Sequence, residues 1–172
     1  MNIECKRCET DQERAQVSLF LLKNRRDFHP SFTVQDIMDL IYSYMTEGHA
    51  IYIADDQGAV LGVCAYYIGT REQQFADRER AFLDMGLSHR SVRGTRAFVK
   101  GLIYLIDQLE EQHDGIQEVC FRTLTEKRDL TRMYAKFARL VGTMEGPLGE
   151  ESCFAESLPE LKANLDKFRR FS

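Results

Sequence analysis

The stretch RAFLDMGLSHRSVRGTRAF, at residues 80–98, decides the predicted fold. Its apolar beginning predicts a strand from about Arg80 to Leu87. A short basic loop from Ser88 to Gly94 follows, and apolar residues then recur at helical spacing from Thr95 to Gln112. The stretch therefore predicts a strand, a tight loop and a long helix in direct succession.

The predicted loop has the charge and the backbone that suit an anion. Amides at a helix N-terminus lack partners within the helix and carry a partial positive charge, which favours a phosphate. Gly94 permits close backbone approach, and Arg90, Arg93 and Arg96 surround it with positive charge. A strand-to-helix turn with incidental arginines explains these residues equally well, because one glycine is weaker evidence than a full glycine-rich signature.

The rest of the chain alternates between strand and helix periodicity. The predicted strands cover 3–8, 49–54, 59–69, 80–87, 117–124 and a hairpin within 142–157, and the predicted helices cover 12–24, 33–48, 95–112, 126–140 and 158–171. Thr10, Thr33 and Ser157 are the predicted N-caps of the first, second and last of these helices. Residues 25–31 and 71–78 are predicted loops. Hairpins combined with crossover helices predict an α/β (α+β) architecture, with a mixed, largely antiparallel sheet of about six to seven strands flanked by helices.

Length and composition predict one domain over residues 1–172, with a C-terminal helix at about 158–171. The chain has 172 residues, of which 44% are hydrophobic, and this suits a sizeable core. A net charge of −4 gives no overall attraction for nucleic acid or an anionic membrane. No apolar run is long enough for a membrane span, and the N-terminus lacks the apolar run of a signal peptide.

The cysteine content predicts a reducing, cytoplasmic setting. Five cysteines make an odd count without a secretory signal, so we expect free thiols. Cys5 and Cys8 have C-x-x-C spacing, but no second pair or histidine set completes a zinc site. We therefore expect ordinary thiols at these positions and no bound metal.

The loop resembles that of a known family. Ser91-Val92-Arg93-Gly94-Thr95-Arg96 is similar to the Gln/Arg-x-x-Gly-x-Gly/Ala pyrophosphate loop of the GNAT N-acetyltransferases, and the order of elements over about residues 3–155 resembles theirs. Ser91 stands where Gln or Arg is usual, and Arg96 where a small residue is preferred. The resemblance implies an acyl-CoA N-acyltransferase-like fold that uses acetyl-coenzyme A (acetyl-CoA) as co-substrate.

The resemblance also implies two groups of cofactor-binding residues. Backbone amides in the loop would hold the coenzyme A (CoA) pyrophosphate, namely those of Arg93, Gly94, Thr95, Arg96 and Ala97. The end of the preceding strand would separate from its neighbour and pair with the pantetheine amides through Met85, Gly86 and Leu87.

Tyr134 is the candidate general acid. Acetyl transfer to an amine gains from orientation of the reactants, from a base for the amine and from an acid for the departing thiolate. Met133-Tyr134 resembles the Leu-Tyr-x-x-x-Gly-Phe segment in which GNAT enzymes carry a tyrosine facing the coenzyme sulfur, although Ala138-Arg139 replaces Gly-Phe and Lys127 stands at the position of a common Asn. A core aromatic side chain is the alternative interpretation of Tyr134.

The general base stays open among several residues. Asp84 and Glu79 belong to the strand before the loop, and an acid inside an apolar strand requires a partner or solvent. His89 and His49 are further candidates, although each has the character of a surface residue. Acidic side chains such as Asp27 could attract a cationic amine or simply face solvent.

Three functions remain open from the sequence. The first is transfer of an acetyl group from acetyl-CoA to a primary amine of a small molecule or protein. The second is a non-catalytic acyl-CoA-binding sensor or interaction module on the same fold. The third is an arginine loop that holds acidic partners or RNA, but the loop lacks interleaved aromatic residues, so we expect no nucleic-acid partner and no membrane partner. A homodimer is left open.

Overall fold

The computed structural model describes residues 2–169, in which seven strands and six helices are found. The strands are β1 (Glu4–Arg7), β2 (His49–Ala54), β3 (Val60–Ile68), β4 (Arg80–Ser88), β5 (Glu118–Leu124), β6 (Arg139–Gly146) and β7 (Gly149–Ser157). The helices are α1 (Asp11–Lys23), α2 (Arg25–Phe28), α3 (Val34–Thr46), α4 (Ala97–Gln112), α5 (Arg128–Ala135) and α6 (Leu158–Arg169). Short 3-10 turns occur at Arg71–Gln73 and Arg90–Val92.

The strands form one mixed sheet in the order β1-β2-β3-β4-β5-β7-β6. β4 and β5 are parallel, because the crossover helix α4 joins them. The pairs β1–β2, β2–β3, β5–β7 and β6–β7 are antiparallel. The predicted fold class, a largely antiparallel sheet of six to seven strands flanked by helices, is confirmed.

The chain forms two compact units. The first comprises the residues up to Tyr67 together with Gly86–Leu105, and the second comprises Ile68–Met85 together with the residues from Ile106 onward. The expectation of one domain over residues 1–172 stays a prediction.

Side-chain caps stabilise the N-termini of α1 and α3 in the first unit. Thr33 Oγ1 accepts from the Asp36 amide (3.1 Å), and the Asp36 carboxylate accepts from the Thr33 amide (2.8 Å), so this capping box begins α3. Thr10 and Glu13 make the same reciprocal contacts at α1. The predicted N-caps are therefore confirmed, and both helices bury an apolar face that includes Val17, Leu21, Ile37 and Ile41.

An aromatic and aliphatic core fills the second unit. Phe121 of β5 and Phe154 of β7 are register partners, and both are buried. α6 adds the buried Leu161 and Leu165, and its first turn is capped by Ser157, whose hydroxyl accepts from the Glu160 amide at 3.3 Å. This cap was predicted, whereas the predicted end of the helix at about residue 171 lies outside the described residues.

The predicted helix 126–140 is wrong at its end. α5 stops at Ala135, and Arg139 already pairs with Ala155 as the start of β6. Phe137 is buried, and its carbonyl accepts a hydrogen bond from Asn164 Nδ2 (2.8 Å) instead of continuing the helical ladder. Tertiary packing therefore ends the helix where the local periodicity does not.

Two smaller corrections concern the first unit. The predicted loop 25–31 contains the one-turn helix α2, in which the Arg25 side chain donates to the Leu22 carbonyl (3.0 Å). The helix predicted from Thr95 begins at Ala97. The Thr95 hydroxyl instead accepts from the Ala97 amide (3.2 Å), so Thr95 acts as a cap before the helix rather than within it.

A substitution at Gly69 should destabilise the protein. Its φ is +85°, and a Cβ there would lie 2.8 Å from the Phe75 Cα, so Gly69→Ala should lower the free energy of unfolding by about 2–4 kcal/mol. The matched control is Gly115→Ala, with φ of +79° and no atom within 4 Å, for which we expect a loss of about 1 kcal/mol. Urea unfolding of both variants measures the difference, and equal losses would contradict the close approach.

Candidate functional site

The loop after β4 is anchored to the first unit by its backbone and by one apolar side chain. The His89 amide donates to the Leu61 carbonyl of β3 (2.8 Å). Val92 is buried in a cluster with Ile53, Leu61 and Ala97. The loop is therefore a fixed connection between β4 and α4.

His89 and Ser91 cap the 3-10 turn inside the loop. The Ser91 amide donates to His89 Nδ1 (3.2 Å), and the Ser91 hydroxyl lies 2.7 Å from the same nitrogen. Ser91, which replaces the usual Gln or Arg, thus holds the turn. These contacts give the His89 ring a local structural role, beside the predicted alternative of a general base.

Gly94 turns the chain from the 3-10 segment towards α4. Its φ is +71°, in the left-handed region that favours glycine. A Cβ at this position would meet no atom within 4 Å. The backbone conformation, rather than lack of space, therefore requires glycine here.

Some backbone amides of the loop already donate hydrogen bonds within the protein, and others do not. The Thr95 amide donates to the Val92 carbonyl (3.2 Å), and the Ala97 amide donates to the Thr95 hydroxyl (3.2 Å). Within residues 2–169, no acceptor is found for the amides of Arg93, Gly94 and Arg96. Of the five predicted donors, these three are available to a ligand, whereas those of Thr95 and Ala97 already bond inside the loop.

The three arginines of the loop also divide into two kinds. Arg93 donates from Nε to the Ser88 carbonyl (2.9 Å), and its Nη2 lies 2.9 Å from the Asp27 carboxylate of α2. Arg90 and Arg96 are exposed, and in the described part of the chain their guanidinium groups make no ion pair or hydrogen bond. Two positive charges therefore flank Gly94, and Asp27 neutralises the third rather than facing solvent alone.

The end of β4 carries the residues predicted to contact pantetheine. β4 pairs with β5 from Arg80 to Leu83, opposite Glu118–Phe121. Met85, Gly86 and Leu87 lie beyond this paired segment, and the side chains of Met85 and Leu87 are buried.

Tyr134 packs in the second unit as an aromatic core residue. Its ring lies 5.1 Å from Phe121 and 5.8 Å from Phe154, measured between centroids, and the side chain is buried. It therefore contacts the face of the sheet to which Phe121 and Phe154 contribute. Burial agrees with the core interpretation and leaves the acid role as a prediction.

Asp84 points to the other face of the sheet. Side chains alternate along a strand, so Asp84 lies opposite to Leu83, whose register partner is Phe121. Phe121 faces Tyr134, and Asp84 therefore does not share a face with Tyr134. The half-buried carboxyl of Asp84 instead lies on the side that also carries Arg122.

An ionic cluster around Arg122 was not predicted. Arg122 pairs with Glu72 (2.7 Å), and its Cζ lies 4.6 Å from the centre of the Phe82 ring. Burial raises the pKa of the Glu151 carboxyl, Arg122 opposes that rise, and Asp84 and Glu72 add to it. The alternation of β5 predicts which face Arg122 occupies, but local sequence does not contain the β5–β7 register that brings Glu151 near.

Glu79 is separated from Asp84. It is exposed just before β4, and its carbonyl accepts from the amides of Gln117 (2.7 Å) and Glu118 (3.1 Å). Five residues along a strand span roughly 17 Å, so the two carboxylates predicted as alternative bases cannot serve the same amine. His49, the other candidate, stacks on Tyr66 with ring centroids 5.1 Å apart.

The cysteines are half-buried and free within the described residues. Burial raises the pKa of Cys8 to about 11, and the Glu13 carboxylate adds to the rise. Burial and a thiol hydrogen bond to Glu118 raise the pKa of Cys120 to about 12. Across residues 2–169, no group of three or more His, Cys, Asp or Glu side chains is arranged to hold a metal ion.

Among the described residues, no helix combines the length and the apolar character that crossing a membrane requires.

Comparison with known proteins identifies the class of fold. No family model matches the sequence, and no curated protein matches it. Solved structures do match. An acetyltransferase of the GNAT family from Streptococcus pneumoniae has a TM-score of 0.66 at 11% identity, over 91% of this chain and 99% of that one.

Two further structures carry named acceptors. A spermidine N-acetyltransferase chimera from Vibrio cholerae and hSSAT has a TM-score of 0.67 at 9% identity, over 94% of this chain and 98% of that one. A ribosomal-protein-S5-alanine acetyltransferase from Vibrio fischeri has a TM-score of 0.64 at 11% identity, over 91% and 93%. The chain therefore has the fold of the GNAT N-acetyltransferases.

The thiol pKa values predict low reactivity. Because little thiolate forms at pH ~7.5, Cys8 and Cys120 should react with iodoacetamide at least about tenfold more slowly than free cysteine. Peptide mass spectrometry after timed alkylation measures each site, with protein unfolded in urea as the control. Alkylation of folded protein at the rate of free cysteine would contradict the effect of burial.

Proposed function

We propose that this chain is an N-acetyltransferase, which moves an acetyl group from acetyl-CoA to a primary amine of a small molecule or protein. The observation that carries the proposal is the turn at Gly94, at the start of α4, where three loop amides have no acceptor among the described residues. Two exposed arginines, Arg90 and Arg96, add positive charge at the same turn. The GNAT fold gives this turn its proposed ligand, the pyrophosphate of CoA.

The residues of the turn suit that ligand chemically. The Gly94 and Arg96 amides would donate to phosphate oxygens, and the N-terminus of α4 adds its partial positive charge. Arg90 and Arg96 would neutralise the phosphate charge, which offsets the replacement of a small residue by Arg96. When bound, acetyl-CoA supplies an activated thioester carbonyl, while the chain supplies position and charge.

We propose Tyr134 and a carboxylate of the strand before the loop for the proton transfers. Tyr134 is proposed as the donor to the departing thiolate, on the resemblance of its segment to the family pattern. Asp84 is preferred to Glu79 as the proton acceptor, since Asp84 is half-buried within β4 whereas Glu79 is exposed before it. Asp84 and Tyr134 lie on opposite faces of the sheet, so we propose that they reach the thioester from opposite faces, beyond Leu83, where the pairing of β4 with β5 ends. Each proton transfer typically adds about 10²–10⁴-fold to the rate.

The acceptor is proposed only by chemical class. Spermidine and a protein alanine are named as the acceptors of two structural neighbours, and both present a primary amine. Around Arg122 lie the half-buried Asp84 and Glu151 and the exposed Glu72, so this cluster carries more negative than positive groups, which agrees with a cationic acceptor. A reducing cytoplasmic setting is proposed from the free thiols.

A non-catalytic acyl-CoA-binding module is the second candidate. The departures from the family pattern at Ser91, Arg96 and Lys127 favour it, and so does the buried position of Tyr134 between two phenylalanine rings. The two candidates share the cofactor site and differ in whether an amine is acetylated.

Substitution of Gly94 should weaken binding of the cofactor. Wild-type protein should bind CoA, and Gly94→Ala should bind it about fivefold to tenfold more weakly, because alanine strains the left-handed φ. Titration calorimetry gives both dissociation constants. The matched control is Gly58→Ala, which has φ of +81° and equally open space in the β2–β3 turn and should bind as wild type does.

Two outcomes would oppose the proposed cofactor site. Absence of binding by wild-type protein at millimolar CoA rejects an acyl-CoA function altogether. Equal affinity of the Gly94→Ala and Gly58→Ala variants places the ligand away from the turn.

Removal of the Tyr134 hydroxyl should slow catalysis without affecting cofactor binding. Tyr134→Phe keeps the ring packing, so the variant should bind CoA normally but release thiol with an amine panel about 10²-fold more slowly or worse. A thiol-detection assay on a panel of mono-, di- and polyamines measures the rate. Unchanged thiol release in Tyr134→Phe removes Tyr134 from the chemistry, and binding without any thiol release favours the non-catalytic module.

A further inference from the structure

The guanidinium group of Arg93 closes the loop that precedes Gly94. Its Nε donates to the carbonyl of Ser88, the last residue of β4, across a sequence separation of five residues. The same group reaches the Asp27 carboxylate through Nη2 at 2.9 Å. A planar guanidinium can donate in both directions at once, which a lysine ammonium at the same position cannot reproduce in that geometry.

Asp27 belongs to the short helix α2, which the sequence did not predict. The Arg25 side chain binds the Leu22 carbonyl at one end of this helix, and the Phe28 ring packs edge-to-face on Phe32, with centroids 5.0 Å apart, at the other. These contacts hold Asp27 in place, so the ion pair with Arg93 ties the loop to a fixed element.

The three arginines of the loop therefore differ in their contacts: one binds groups of the protein, and two are available to bind a ligand. All three side chains are exposed, but that of Arg93 contacts Ser88 and Asp27, whereas those of Arg90 and Arg96 make no guanidinium contact within the described residues. Arg96 is also the residue whose carbonyl accepts from the Lys100 amide (2.9 Å), so its side chain projects from the first turn of α4. Charge for a ligand is available from Arg90 and Arg96 without breaking any internal contact.

We propose that Arg93 and Asp27 form a brace that holds the Gly94 turn in its binding conformation, and that Arg93 is a positioning residue rather than a phosphate ligand. This inference rests on the proposed CoA site. A loop that is ordered before binding loses less conformational entropy on binding, so the brace raises affinity without touching the ligand.

Salt dependence distinguishes a positioning residue from a ligand. Arg93→Lys keeps the positive charge but loses the fork, so CoA should bind about threefold to tenfold more weakly with an unchanged dependence of affinity on ionic strength. Arg96→Gln removes a charge that faces the ligand, so its affinity should fall and should depend less on ionic strength. Arg14→Lys is the matched control for the lysine substitution, because Arg14 forms another exposed ion pair, with Asp11 (3.3 Å) in α1, and it should bind CoA as wild type does.

Asp27→Asn tests whether the two residues act together. If the two residues form one brace, either single substitution already breaks it, so the losses of CoA affinity are not additive. The double variant Asp27→Asn/Arg93→Lys should then bind CoA as tightly as the single variant that has the lower affinity. Additive losses would mean that the two residues act independently and would overturn the brace. Wild-type affinity in Arg93→Lys, or a reduced ionic-strength dependence like that of Arg96→Gln, would overturn it as well.

Amide hydrogen exchange tests the brace without any ligand. The Thr95 amide donates to the Val92 carbonyl inside the loop, and its exchange in free protein should be faster in Arg93→Lys than in wild type or Arg14→Lys. Unchanged exchange at Thr95 contradicts the brace. If wild-type protein binds no CoA, the proposed function fails, and the exchange of Thr95 still decides whether Arg93 orders the loop.

Discussion

The left-handed conformation of Gly94 is the constraint on which the site depends. β4 ends at Ser88 and α4 begins at Ala97, and the short connection must reverse from extended to helical backbone while keeping amides accessible. Gly94 at φ +71° makes that turn, and a residue with a Cβ would be strained there even though space is open. The amides of Gly94 and Arg96 have no acceptor among the described residues, so they are available to a ligand at this turn.

Contacts on either side of Gly94 keep the turn in that conformation. Val92 is buried beneath it, His89 and Ser91 cap the 3-10 segment before it, and the Thr95 hydroxyl caps α4 after it. These contacts fix the backbone of the turn, while the charges of Arg90 and Arg96 lie on exposed side chains. This is the arrangement expected for binding an anion by backbone amides, with arginines as additional charge.

Local patterns predicted the elements that carry this frame, while tertiary contacts decided what the sequence could not. The strand, loop and helix of residues 80–112 follow from apolar periodicity and from Gly94, and the caps at Thr33 and Ser157 from residue type. The early end of α5 depends on the Asn164 contact to Phe137, which lies far away in sequence. Likewise, the Arg93–Asp27 pair and the cluster of Arg122, Glu72 and Glu151 require a register and a short helix that no local pattern contains.

A crystal structure of the protein with CoA would show which groups hold the pyrophosphate. We expect a pyrophosphate oxygen within hydrogen-bond distance, about 2.7–3.2 Å, of the Gly94 and Arg96 amides, with Arg93 still bound to Ser88 and Asp27. CoA bound elsewhere, or an empty Gly94 turn in crystals grown at saturating CoA, would contradict it.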